Sequence, residues 1–396
     1  MINCRFFLTA AATAAAIGMV PRLAFAKAAT DRRFVFIIQR GAADGLGTLA
    51  PVGDPGFVAA RGILAQDFAN APRLDGMFAL HPALGRIAGL YQQQQALFLH
   101  ATASPYRDRS HFDGQNVLET GSAGAYQVKD GWLNRLLAAL PAEEAKAIAV
   151  AVTVPLALRG QRDVASYAPS ALPDADDNLL QRVAMLYEGD RQLHALWSEA
   201  MATRALTADM TANGAAMGPG AGGARGGAGL ARAAAATGTL TAKLLSAPGG
   251  ARIAMIETGG WDTHAQQRAR LSGQLAGLDA MVGAIRDGLG PLWDQTIVLV
   301  ATEFGRTVAL NGTGGTDHGT ASAAMLFGGR VQGGRVMADW PGLAPNALYE
   351  GRDLRPTMPL DGFIGGAVAS HFGLDPQRLM PVIFPGTATR AMGGLA

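Results

Sequence analysis

Two runs of the chain are apolar at nearly every position, residues 33–39 (RFVFIIQ) and residues 296–301 (TIVLVA). Short runs of this kind, rich in β-branched and aromatic residues, predict strands buried on both faces, as in a parallel sheet. Shorter runs of similar character lie at 96–101 (ALFLHA), 147–154, 251–256 (ARIAMI) and 323–327 (AAMLF). Between them the apolar positions recur with helical spacing. The stripes are Leu84, Ile87, Leu90 and Tyr91 within 81–95; Leu180, Val183, Leu186 and Tyr187 within 179–200; and Leu271, Leu275, Leu278, Met281, Val282 and Ile285 within 266–288. A further helix is expected from Gly131-Trp-Leu-Asn-Arg-Leu-Leu, and another over 361–374 with Phe363, Ile364, Val368 and Phe372 inside. Strands alternating with helices predict an α/β fold, a three-layer sandwich with a mostly parallel central sheet. Residues 213–228 break the pattern with a Gly/Ala-rich stretch, which reads as a flexible insertion between helices.

The chain has 396 residues, 49% of them apolar, enough for one large core, and residues 27–396 are expected to form a single domain. There are 33 basic and 31 acidic residues. No basic surplus exists for nucleic acid, so none is expected as a partner. Cys4 is the only cysteine, which excludes a disulfide framework and a thiolate zinc site. Any metal must therefore sit on Asp, Glu and His. Residues 1–26 carry Arg5, an apolar run over 8–20 and Ala24-Phe25-Ala26, the features of a cleaved export signal. An uncleaved N-terminal anchor is the competing reading. Cys4-Arg-Phe-Phe-Leu8 is similar to a twin-arginine signal with one arginine missing, so both export routes stay open. The expected location is periplasmic or secreted, with no stable membrane insertion after cleavage. Nothing in the sequence specifies an oligomeric state.

Charge gathers where strands are expected to end. Asp44 follows the first strand in Arg40-Gly-Ala-Ala-Asp-Gly. Glu257, Asp262 and His264 follow the 251–256 strand in Glu-Thr-Gly-Gly-Trp-Asp-Thr-His, and Glu303 and Arg306 follow the 296–301 strand. Asp317-His318-Gly comes next along the chain, and Arg107, Arg109, Ser110 and His111 sit in an earlier loop. In an open parallel sheet such strand ends share one crevice. Carboxylates crowded there repel unless a cation offsets them. Asp, Glu and His donors suit Zn²⁺, Mn²⁺, Mg²⁺ or Ca²⁺. Plainer readings compete: Asp44 as a turn residue bonding its own backbone, Ser110 as a helix cap, and Glu257 as a structural carboxylate. Of the other histidines, His81 is expected at a helix start and His100 packed in a strand. His194 and His371 are expected on the surface or capping.

This order of strand ends resembles the alkaline phosphatase/sulfatase superfamily. Glu257 precedes Asp262 by five, as in a metal-binding strand end of alkaline phosphatases, and Asp317-His318-Gly followed by AAMLFGG resembles the last metal histidine and its strand. Ser110 to Glu-Thr-Gly121 resembles the nucleophile helix. More closely, the export signal with Gly-Ala-Ala-Asp-Gly-Leu, His-Pro-Ala-Leu, Arg-Ser-His-Phe, Gly-Trp-Leu-Asn-Arg, Gly-Gly-Trp-Asp-Thr-His, Thr-Glu-Phe-Gly-Arg-Thr and Asp-His-Gly resembles a Tat-associated family of exported bacterial proteins of unknown function within that superfamily. The resemblance implies an alkaline-phosphatase-like fold and a metal-dependent hydrolase of a phosphate or sulfate ester, on a small-molecule or polymer substrate. It places metal on Asp44, Asp262, His264, Glu303, Asp317 and His318. It makes Ser110 the nucleophile beside His111, with Arg109 and Arg306 on the ester oxygens. One departure stands out: Glu303-Phe304 occupies a place where alkaline phosphatases have Asp-His. The alternative is a catalytically silent relative that binds a ligand or a cell-envelope partner.

Overall fold

The computed structural model describes residues 31–141, 145–168, 177–198, 200–201 and 227–396. The expected export signal lies outside the described residues, as does the 213–226 part of the Gly/Ala-rich stretch. In chain order the elements are β1 (Arg33–Gln39), α1 (Gly45–Thr48), β2 (Leu49–Ala50), α2 (Phe57–Arg61), β3 (Ala79–Leu80), α3 (Gly85–Gln92), β4 (Ala96–Ala103), α4 (His111–Thr120), α5 (Trp132–Ala139), β5 (Ala147–Val150) and β6 (Ala165–Ser166). They continue with α6 (Asp177–Tyr187), α7 (Gly227–Ser246), β7 (Ile253–Thr258), α8 (Gln267–Leu289), β8 (Thr296–Ala301), β9 (Ser322–Gly328), β10 (Arg335–Met337), β11 (Met358–Pro359), α9 (Leu360–Phe372) and α10 (Pro376–Ile383).

Nine strands form one sheet in the order β10-β4-β9-β8-β1-β7-β5-β6, with β11 added on β4. β1 runs parallel to β7 and β8, with Ile38 opposite both Glu257 and Ala301. Only β9 runs against its neighbours, β8 and β4. The ends of β1, β7 and β8 therefore lie side by side on one edge.

The central strands are buried because layers cover both faces. Phe34, Phe36 and Ile38 of β1 pack on one side with α5, α9 and α10; Val35 and Ile37 pack on the other with α7 and α8. This is the period of two of a pleated strand, read in a sheet with two cores. Trp132 anchors the first core, edge-on to Phe36 at 5.4 Å and stacked on Phe384 at 6.0 Å. The architecture is a mixed α/β sandwich with a mostly parallel central sheet.

Three local expectations change. His81 to Leu84 forms a turn, with His81 Nδ1 accepting the Ala83 N–H at 3.1 Å, and the helix begins only at Gly85. The helix expected over 179–200 is interrupted after Tyr187. Asp190 restarts it by accepting the N–H groups of Gln192 and Leu193, and Leu186 is left 77% exposed. His371 is not a surface residue: it is 1% exposed on α9, with Nε2 on the Arg33 carbonyl oxygen at 2.9 Å. The α9 helix is apolar all round because it lies inside the sandwich. His100 is fully buried on β4, bonded to the Leu49 carbonyl at 2.8 Å and stacked on Phe78.

One glycine decides how the strand ends meet. Gly41, just past β1, has φ +117°, and a Cβ built there would lie 2.6 Å from the Asp262 backbone nitrogen. Gly41→Ala is expected to lower stability by about 1–3 kcal/mol and to displace Asp262. Gly259→Ala, whose Cβ meets nothing within 4 Å, serves as the control in calorimetric melts. Equal melting temperatures for the two variants would contradict this packing.

Burial also makes stability depend on pH. It pushes the His371 imidazole down to about 3 and that of His100 down to about 4. Unfolded histidines protonate near pH 6.5, so between there and the folded values the unfolded chain binds more protons. Stability is therefore retained above pH 6.5 and lost as pH falls. His371→Gln keeps an N–H donor for the Arg33 carbonyl and removes one titrating group. The slope of stability against pH from 6 to 4, measured by denaturant titration, is expected to fall by about 1.4 kcal/mol per pH unit. An unchanged slope would show that His371 is not held neutral.

Candidate metal centre

Asp262, on the loop after β7, is the hub. Its Oδ1 lies 2.9 Å from His264 Nε2 and 3.3 Å from His318 Nε2, and its Oδ2 lies 3.5 Å from His111 Nε2. The two imidazoles of His264 and His318 approach each other at 3.0 Å through their Nε2 atoms. Donors sharing one ion at about 2.0–2.1 Å lie roughly 3–3.5 Å apart, so these separations suit a common cation. His111, Asp262 and His318 can each offer one ligand atom within 4.8 Å of the others. A possible metal site therefore exists here.

The orientation of the rings supports the fit. Each of the three histidines has its Nδ1 against an oxygen acceptor: His111 on Glu303 at 2.8 Å, His264 on Asp317 at 3.1 Å, and His318 on the Arg109 carbonyl at 3.0 Å. With Nδ1–H donating, Nε2 carries the lone pair that a metal needs. His111 Nε2 is buried and has no hydrogen-bond partner. An orphan of this kind requires an account, and an ion would provide it. The donors that can share one ion are two imidazoles and one carboxylate, with the His264 imidazole beside them, a set that suits zinc or a similar borderline cation.

Glu303 is 1% exposed at the end of β8. Its Oε1 accepts the N–H groups of Gly41 at 2.8 Å and Ala42 at 3.2 Å, His111 Nδ1, and Gln115 Nε2 at 3.1 Å. Its Oε2 accepts the Thr302 hydroxyl at 3.1 Å. Burial works against its charge; His111, Gln115 and the Gly41 N–H outweigh it and hold the pKa below the ordinary value. In return the Glu303 contact raises His111. Ala42 has φ 58°, so two successive amides form a concave anion seat for this carboxylate. Gln115 also accepts from Arg40 Nη1 at 2.8 Å, and Arg40 in turn binds Glu257 and Glu119.

A second network stands behind Asp262. Arg306, 1% exposed, donates from Nη1 to Asp262 Oδ1 at 2.6 Å and from Nε to Thr316 Oγ1 at 3.2 Å. Gln267 Oε1 accepts from Thr316 and Thr263, and its Nε2 donates to Asp44, which is also paired with Arg61. Burial alone would raise Asp262; Arg306, then His264 and His111, hold it below the usual carboxylate range. His318 is lowered by burial first and by the neighbouring His111 second. Asp317 is lowered by Asn311 and then His264. The loops bearing Arg306 and His318 touch through their backbones. A Cβ on Gly305 would lie 1.9 Å from the Ala321 carbonyl oxygen, so only glycine permits the approach.

The expected site residues thus divide. His111, Asp262, His264 and His318 come together, with Glu303 and Asp317 one step out, each holding an imidazole. Asp44 lies apart as the N-cap of α1, accepting from Leu46 N–H and saturated by Arg61 and Gln267. Arg109 is beside the centre, but its guanidinium goes to Asp353 at 2.8 Å and Glu350 at 2.5 Å. The Arg306 fork is taken by Asp262 and Thr316. Ser110 precedes α4, makes no side-chain cap and gives its N–H to the Tyr106 phenol oxygen at 2.9 Å. Gln115, Gln267, Thr316 and Asp353 were not singled out from the sequence. Only Gln115 carried a signal, one helical turn after His111.

Solved structures similar to the chain include Ps i-CgsB in complex with k-i-k-neocarrahexaose, at 11% identity, 89% of this chain, 74% of that chain and a TM-score of 0.41. A phosphonate monoester hydrolase of Agrobacterium radiobacter matches at 12% identity, 91% and 79% coverage and 0.39. The periplasmic domain of EcEptC from Escherichia coli, in complex with Zn, matches at 8%, 78%, 76% and 0.36. Among curated proteins there is no match. The family model described as "Protein of unknown function (DUF1501)" matches residues 31–360, and the chain belongs to that family.

Proposed function

We propose that this chain is an exported, metal-dependent hydrolase of a phosphate or sulfate ester. One observation carries the reading: three imidazoles, each fixed through Nδ1, turn Nε2 toward a single partly exposed carboxylate, Asp262. In this reading His111, Asp262 and His318 hold a divalent ion, with His264 beside them. Such an ion, when bound, polarises an ester oxygen and offsets charge that develops in the transition state. Ser110 is the candidate nucleophile, since it adjoins His111 and keeps its hydroxyl free of helix capping. Arg306 keeps Asp262 ionised and aimed. Asp262 and His264 are nearly half exposed, which leaves the centre open to a small or polymeric ester. Export rests on the N-terminal segment of the sequence. Among the described residues no helix is long and apolar enough to cross a membrane.

A second reading, a silent relative that binds a ligand or envelope partner, is favoured by one feature. Both arginines expected on an ester's oxygens spend their guanidinium groups on carboxylates, a hydroxyl and backbone. That leaves less preorganised charge for a transition state than a hydrolase needs.

His318→Ala and His111→Ala are each expected to lose bound metal while keeping the native circular dichroism spectrum. Mass-spectrometric metal content equal to that of the parent would remove these residues from the ligand set. A panel of aryl phosphates and aryl sulfates separates the two readings. The hydrolase reading expects metal-dependent turnover that Ser110→Ala lowers by at least about 100-fold. Stoichiometric metal without turnover on any member supports the binding protein.

A further inference from the structure

A second concavity lies on the other flank of β7. The end of that strand and the facing sides of α7 and α8 surround a cavity of about 190 Å³. Leu230, Ala234, Leu278, Met281 and Trp261 line it, together with Glu257. Trp261 contributes an apolar wall, because its indole N–H is already given to the Thr258 hydroxyl at 3.0 Å. Glu257 is the one charged residue of this lining, whose other polar members, Thr237, Thr258 and Gln274, are neutral. Both of its contacts with Arg40 fall on Oε1, and among the described residues Oε2 accepts no hydrogen bond. Arg40 also serves Glu119 at 2.8 Å, so one guanidinium answers two carboxylates and the cluster keeps a formal negative charge.

A mostly apolar cavity with one carboxylate oxygen left free of protein donors among the described residues favours a particular ligand. Apolar walls select a hydrocarbon body, and the spare carboxylate oxygen selects an N–H donor. A charged donor is favoured, because a charge-assisted hydrogen bond is about twice as strong as a neutral one. A carboxylate ligand is repelled. Size narrows the choice further. An apolar cavity of about 150 Å³ holds benzene, so the larger volume here admits a ring with a short arm. We propose that this cavity binds a small organic ammonium ion with an apolar body, its N–H on Glu257 Oε2 and its hydrocarbon against Trp261, Leu278 and Met281. The site involves none of the metal-centre ligands and stands whether or not that centre is catalytic.

Titration calorimetry of the purified full chain with benzylammonium chloride, benzyl alcohol and sodium benzoate tests this. Benzylammonium is expected to bind at least 10-fold tighter than the alcohol, with no binding of benzoate. Glu257→Gln is expected to bring the amine down to the affinity of the alcohol. Gly277→Met is expected to abolish binding of both by filling the space: a Cβ on Gly277 meets only Ala234 Cβ at 3.6 Å and the Leu230 carbonyl at 3.9 Å, ordinary contacts that leave room to grow inward. Circular dichroism melts show that each variant is folded. Absence of amine binding at millimolar concentration, equal binding of amine and benzoate, or undiminished binding in folded Gly277→Met protein would each overturn the proposal.

Discussion

The buried carboxylate of Glu303 sets the terms for everything around it. Removing a charge from water costs several kcal/mol unless fixed donors replace the hydration. Five donors do so: the amides of Gly41 and Ala42, the His111 imidazole, the Gln115 amide and the Thr302 hydroxyl. They come from the end of β1, one face of α4 and the end of β8. Satisfying one side chain therefore locks three elements together, and the direction of His111 Nε2 follows from that lock. A partly satisfied network of this kind would be worse than an apolar one.

Burial sorts the acidic residues into two kinds. The side chains of Asp44, Glu303 and Asp353 are 1%, 0% and 0% exposed, and each is saturated by arginine, glutamine or backbone donors. Those of Asp262 and Asp317 are 41% and 53% exposed. The buried set cannot take up a cation without surrendering bonds that hold the fold. Asp262 can, since His111, His264 and His318 all turn Nε2 toward it. Anchors and ligands are thus distinguished by what each carboxylate would lose.

This distinction explains what the sequence could reveal. The strands 33–39 and 296–301 were legible because burial on both faces leaves an unbroken apolar run, and the clusters at their ends were legible as charge. Roles were not. Glu303 and Asp44 look alike in a linear chain, each with a glycine within two residues, yet His111 lies 192 residues from Glu303, and Asp44 is held by Arg61, 17 residues on, and by Gln267, 223 residues on. His371 resembled a surface residue because nothing local records that α9 is covered by the sheet, by α10 and by the C-terminal segment. Asp353 had no signal, since its importance comes from Arg109 and Thr320 folding over it, with the adjacent Arg352 on its other oxygen.

Arg109 shows how a single residue serves two demands. It has φ 60°, one of seven non-glycine residues with positive φ among those described. Such a conformation costs about 1–3 kcal/mol and persists only where surroundings over-determine it. Here they do. Asp353 and Glu350 hold the guanidinium on one side, while the carbonyl oxygen reaches His318 Nδ1 on the other. A left-handed residue reverses its carbonyl relative to the neighbouring peptides, which lets side chain and backbone diverge in this way. Glycine would adopt the same backbone without strain but would lose the two carboxylate anchors that fix the carbonyl's position. The arginine expected to hold an ester's oxygens is thus placed beside the centre, and what it gives the centre is a carbonyl oxygen that determines which nitrogen of His318 is free.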